Sequence, residues 1–85
     1  MPGGVGGWHR EVSPLQVRAA LLTPREREVF ELVAAVEPNK VIARHLGISF
    51  RTVELHRAHI TEKLQARSLS DLIRMGIIMN SKPIA

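Results

Sequence analysis

His56 and His59 stand three residues apart in one helical pattern, the spacing at which two imidazoles share a face and can hold a metal. The chain has no Cys, and no third His or Asp falls in register, so the pair reads as helix surface and not as ligands. Asp71, the only Asp, follows Ser68 by three residues in a helix-start pattern. That leaves no Ser, His and Asp in triad order, no paired carboxylates and no nucleophile elbow. Gly3, Gly4, Gly6 and Gly7 make a glycine-rich run, but no strand precedes it and no Gly-Lys-Ser/Thr follows, so it is not a phosphate loop. No enzyme, cofactor, metal or small-molecule substrate is expected. The chemistry that remains is non-covalent.

Charge locates it. Residues 24–38 carry two Arg against four Glu, net −2, whereas residues 39–67 carry Lys40, Arg44, Arg51, Arg57, Lys63 and Arg67 against Glu54 and Glu62, net +4. His45, His56 and His59 lie in the same basic stretch and add to it when protonated. Over the 85 residues, 12 Lys and Arg against 8 Asp and Glu give +4, which points to a polyanion as partner. With 45% hydrophobic residues and no disulfide to staple it, a chain this short builds one modest aliphatic core and is expected to gain from pairing with a second copy. The longest apolar stretches, such as residues 19–22, fall far short of the roughly 20 residues that span a bilayer. The N-terminus has no basic segment followed by an apolar block. The expectation is a cytoplasmic, nucleoid-associated protein with no membrane partner.

The elements that must position this charge are helices. Residues 1–22 read as a flexible leader, rich in Gly and Pro at its start, with a short helix from Pro14 towards Leu22. Thr23, Pro24 and Glu26 supply an N-cap, a first-turn Pro and a capping-box partner, so a helix is predicted over 24–36 with Val29, Leu32, Val33 and Val36 on its apolar face. Asn39 is taken as the next N-cap, for a short helix over 40–46 that Gly47 ends. Ser49 caps a helix over 50–65, and Ser68 with Asp71 starts one over 69–79 that is apolar nearly all round. No period-two alternation occurs. The predicted class is all-α, with the domain over 23–80 and a tail over 81–85.

The helices over 40–46 and 50–65 are separated by a few residues containing Gly47, the spacing of a helix-turn-helix unit over about 39–58 whose second helix enters the major groove of duplex DNA. On a 100° wheel Val53, Ile60 and Leu64 fall together as the core face, with the stem of Arg57 beside them. Arg51, Glu54, Leu55, Ala58 and Glu62 fall opposite, free to meet base edges. Leu55 and Ala58 suit a thymine methyl, Glu54 a cytosine amino group, and Arg51 guanine or phosphate. Asn39, Ser49 and Thr52, at helix starts, suit phosphate.

Residues 22–75 strongly resemble the LuxR-type output domain, and within it the FixJ-like response regulators. The resemblance is carried by Leu-Thr-Pro-Arg-Glu at 22–26, by Asn39, Lys40, Ile42, Ala43 and Leu-Gly-Ile-Ser at 46–49, by Thr52, Val53, His56, Arg57, Ile60, Lys63 and Leu64, and by Ala66, Arg67, Ser68, Ser70 and Leu72. It implies a four-helix DNA-binding module of bacterial transcription regulators, dimeric through its last helix, with RNA polymerase as a further partner. By position it implies base-facing roles for Glu54, Leu55 and Ala58. It also implies backbone contacts near Asn39, Lys40, Ser49, Thr52, His56 and Lys63, and a dimer face on the last helix at Leu69, Leu72, Ile73, Gly76 and Ile77; Arg57, whose stem lies beside the core face, is counted with Arg51 among the DNA-binding residues.

Two departures from the pattern matter. Val36 stands where relatives have Gly, so the turn after the first domain helix is expected to lose its left-handed residue. Only about 22 residues precede that helix, where FixJ-like regulators carry a phospho-acceptor domain. The expectation is either a stand-alone or excised output domain, or a receiver-less interaction module that heterodimerises with a full-length regulator and modulates it.

Overall fold

The computed structural model describes residues 14–80, and among these it contains five helices and no strand. They are α1 (Pro14–Ala19), α2 (Pro24–Ala34), α3 (Asn39–Leu46), α4 (Phe50–Leu64) and α5 (Leu69–Asn80). Residues 1–13 of the expected leader and the tail at 81–85 lie outside the described residues. No helix of the described residues is long and apolar enough to cross a membrane.

The helix starts follow side-chain chemistry. Thr23 accepts the Glu26 N–H on its hydroxyl at 3.1 Å, and Glu26 Oε1 accepts the Thr23 N–H at 2.9 Å, completing a capping box with Pro24 just inside. Ser49 Oγ accepts the Thr52 N–H at 3.0 Å, and Ser68 Oγ accepts the Asp71 N–H at 3.1 Å. Asn39 corrects the expectation made for it. Pro38, extended at φ −66° and ψ 153°, precedes α3 without any side-chain cap, and Asn39 is the first helical residue. Its amide is thereby released for another bond, described below.

Three helix ends share one geometry. After α2, α3 and α4 the chain turns through a left-handed residue: Val36 (φ 62°), Gly47 (φ 67°) and Gln65 (φ 57°). In each case the following N–H reaches back to a carbonyl one turn inside the helix: Glu37 to Leu32 at 3.1 Å, Ile48 to Ala43 at 3.0 Å, and Ala66 to Thr61 at 3.0 Å. These bonds satisfy carbonyls that the helix end would otherwise orphan. The left-handed turn after α2 is therefore kept although its residue is Val, a β-branched side chain that costs about 1–3 kcal/mol there. The turn also ends α2 at Ala34, two residues before the predicted end, and swings Val36 out of the core to 68% exposure.

The core gathers Val29, Phe30 and Val33 of α2, Ile42 of α3, Val53, Ile60 and Leu64 of α4, Leu72 of α5 and Ala19 of α1. α2 packs on both α4 and α5, α3 packs on α4, and α1 lies against α4. The α2–α5 contact is close because Gly76 faces Ala34. A Cβ built on Gly76 would stand 2.3 Å from Ala34 Cβ, a distance no two methyl groups tolerate. Gly76→Ala forces the helices apart at about 1–3 kcal/mol, of which helix propensity returns about 1 kcal/mol. The expected net loss is about 0–2 kcal/mol by chemical denaturation. Adding Ala34→Gly to Gly76→Ala should destabilise less than the two single changes summed.

Glu26 is the one buried charge among the described residues, at 4% exposure. Burial alone would raise its pKa. The Lys63 ammonium, with Nζ 2.7 Å from Oε1, the Thr23 N–H and the charge of His59 together outweigh burial and hold it below the ordinary 4.5. A lowered folded pKa means stability that is present above the unfolded value and lost as pH falls through the folded one. Glu26→Gln should cost about 1–2 kcal/mol at neutral pH, through the lost charge-assisted bond. In denaturation measured across pH, the gap between wild type and variant should close below about pH 4.

Candidate nucleic-acid interface

α3 and α4 are joined by three residues, of which Gly47 supplies the left-handed turn that lets the second helix leave at an angle to the first. Val53, Ile60 and Leu64 are each 0% exposed, so one complete seam of α4 is locked inward. A helix cannot rotate one face without the others, and the opposite side is therefore presented to solvent. There the structure places Arg51, Glu54, Leu55, Ala58 and Glu62, all exposed, with Leu55 at 50%. This is the face that the wheel singled out. Phe50, half exposed as the first residue of α4, was not selected from the sequence. Its place directly after the Ser49 cap, one residue before Arg51, is the signal that would have found it.

The hydrogen-bonding groups at the helix starts divide into free and engaged. Lys40 and Arg51 are exposed, with no hydrogen bond or ion pair among the described residues. Ser49 and Thr52 meet through their hydroxyls at 2.8 Å, which places two oxygens side by side at the start of α4. His56 is half buried one turn further along.

Two cations expected at this surface are turned inward instead. The Arg57 guanidinium donates to the Asn39 Oδ1, tying α4 to the first turn of α3, so neither residue has the free group assigned to it for DNA. Lys63 donates to Glu26 Oε1 and, at 3.2 Å, to the Leu21 carbonyl. Its charge answers a buried carboxylate on α2 and fastens the segment that leads into α2. His59 Nδ1 stands 3.7 Å from the other oxygen of the same carboxylate. The sequence shows which residues are cationic, but it does not show that Glu26, 37 positions before Lys63, is buried.

The expected dimer face divides in the same way. Leu72 is 1% exposed and belongs to the core, and Gly76 is buried against Ala34, so both are corrected to positions inside the protomer. Leu69 and Ile77 are 50% and 57% exposed, and Ile73 is half buried between them. Ile78, at 56%, widens the apolar surface.

The comparisons with known proteins agree with this architecture. Residues 20–76 match the family described as bacterial regulatory proteins, luxR family. The chain is 48% identical over 63 residues to the transcriptional regulatory protein FixJ of Bradyrhizobium diazoefficiens, covering 74% of this chain and 31% of that protein. It is 55% identical over 53 residues to the tetrathionate response regulatory protein TtrR of Salmonella typhimurium, covering 62% of this chain and 26% of the relative. Among solved structures, full-length FixJ from B. japonicum superposes with a TM-score of 0.67 at 48% identity, over 74% of this chain and 31% of that one. The chain thus spans about a third of the length of the curated relatives it matches. Its helix-turn-helix architecture and the match over residues 20–76 lead to one conclusion: the chain belongs to the luxR family of bacterial regulatory proteins.

Proposed function

We propose that this chain is the sequence-reading module of a bacterial transcription regulator, with α4 in the major groove of duplex DNA. One observation carries the reading: a fully buried seam on α4 is backed by an exposed stripe of Arg51, Glu54, Leu55 and Ala58, within the basic part of the chain. Such a stripe mixes one cation, one acceptor and two apolar groups, which is the range of chemistry that major-groove edges present. Lys40, Ser49, Thr52 and His56 supply phosphate contacts that set the register of the helix without choosing a sequence. The mechanism is binding alone. Cations release counterions and base contacts select the site.

The exposed apolar surface of α5 supports a homodimer paired through Leu69, Ile73 and Ile77. A twofold dimer would place two reading helices on half-sites about one helical turn apart.

Selection from a random duplex pool should yield a palindromic site. Titration of that site against salt should give a log–log slope of about −0.9 for each phosphate neutralised, with about four per subunit. Leu55→Arg should reduce the preference for the selected site over random DNA by about 5- to 150-fold, equivalent to about 1–3 kcal/mol. Salt-independent binding would refute the reading, and a chain that pairs with a full-length regulator but leaves DNA unshifted would mark it as a modulator.

The dimer has its own test in sedimentation. Ile77→Lys, at a side chain outside the core, should shift the chain towards monomer while leaving the thermal midpoint nearly unchanged, since surface changes cost within about 0.5 kcal/mol.

A further inference from the structure

Beyond the C-terminal end of α4 the structure has a cleft of about 610 Å³, formed between α1, the turn from α4 into α5, and the first turns of α5. Arg18 enters from α1, Arg67 from the turn and Arg74 from α5, with Ser70, Asp71 and Met75 between them. The charges do not cancel. Both oxygens of Asp71 are engaged, one by the Arg74 guanidinium and the other by the Arg67 N–H at 2.9 Å. The Asp71 carboxylate, which the nearby Arg67 charge also helps to hold below its ordinary pKa, is the one anion lining the cleft. The guanidiniums of Arg18 and Arg67 have no hydrogen bond or ion pair among the described residues, so three fork-shaped cations face one carboxylate. Guanidinium groups recognise carboxylates and phosphates through paired N–H donors.

We propose that this cleft is a docking site for an acidic segment of a partner protein, with carboxylates on Arg18 and Arg67 and an apolar side chain on Met75. Charge complementarity names the class of occupant, and two further observations favour a protein over the DNA backbone. The cleft is concave and has the half-buried Met75 in its wall, a surface that accepts an apolar side chain, which a sugar-phosphate strand does not carry. It also lies past Gln65, at the far end of a 15-residue helix about 22 Å long, whereas the major groove is only about 12 Å wide. With the start of α4 in the groove, the far end projects from it, and this second argument rests on the reading of α4 given above. The site is a property of this chain and not of the matched domain alone, because Arg18 precedes residues 20–76.

α1 is held where the site needs it. Arg27 donates to the Ala19 carbonyl at 3.2 Å, Lys63 donates to the Leu21 carbonyl, and Ala19 is wholly buried. Arg18 is therefore presented by an anchored helix.

The test uses the full chain and a fluorescein-labelled twelve-residue peptide of Glu and Asp with one central Leu, read by anisotropy. The same peptide with Lys replacing the acids is the control. The acidic peptide should bind saturably, both to the free protein and to the protein already on its selected duplex, and the basic peptide should not bind. Arg18→Gln with Arg67→Gln should weaken the acidic peptide at least tenfold and leave DNA affinity within twofold. Arg67→Lys, at an exposed position, should fold as wild type and retain part of the binding.

Displacement of the peptide by duplex, or binding untouched by the double substitution, would place the peptide on the reading face of α4 and overturn the proposal. A double variant that loses DNA affinity, with a shallower salt dependence, would make the cleft a phosphate contact and overturn it as well. If the chain proves not to bind DNA, the peptide arm on free protein still decides the matter, so the two readings fail separately.

Discussion

Val53, Ile60 and Leu64 form a line of side chains along α4 from which water is excluded completely, each held by α2, α3 or the segments beside them. Burying three such residues is worth about 1.5–3 kcal/mol apiece before entropy is counted, a large share of what stabilises a domain this small. Because side chains on a helix keep a fixed angular relation, that line also determines which residues are outermost. Leu55 and Ala58 are exposed for this reason and not through any preference of their own. An apolar Leu at 50% exposure is unfavourable in isolation, and its position is imposed by the opposite face of the same helix. Stability and the identity of the exposed face of α4 thus have one cause.

The left-handed turns at Val36, Gly47 and Gln65 then direct successive helices around α4. Only one of the three is glycine. At Val36 and Gln65 the backbone bonds that close the helix end hold the residue in a conformation its side chain disfavours, so the surrounding structure overrides local preference. The α2–α5 contact is the reverse case. There a local choice, the absence of a side chain at Gly76, permits an approach that any other residue would forbid.

This contrast explains what was legible in the sequence. Helix starts were readable because a cap is a local event: Thr23 with Glu26, Ser49 with Thr52, and Ser68 with Asp71 all sit within four residues of each other. The two faces of α4 were readable because they follow from periodicity alone. Asn39 was misjudged because its partner, Arg57, is 18 positions away, and no local rule announces that the amide will turn to α4. Val36 was misjudged because the expectation considered the cost of a left-handed Val without the hydrogen bonds that compensate it. Leu72 and Gly76 were placed on a partner-facing side because α5 is apolar nearly all round, and only the position of α2 decides which side of such a helix is core.

The same long-range pairing reorganises the charge. Taken as composition, the basic stretch over 39–67 is a uniform excess, but in the fold its members have separate fates. Arg57 answers Asn39, and Lys63 answers Glu26 and Leu21. These two cations tie α3, α2 and the segment that leads into α2 to α4. The cations left without partners among the described residues include Lys40 and Arg51 at the start of the helix-turn-helix, and Arg18 and Arg67 beyond its far end. Net charge therefore overstates what the exposed face of α4 offers to a polyanion, because part of the excess is turned inward and part lies at the opposite end of α4. Here, pairing some cations inward leaves the rest as two distinct basic surfaces instead of one diffuse one.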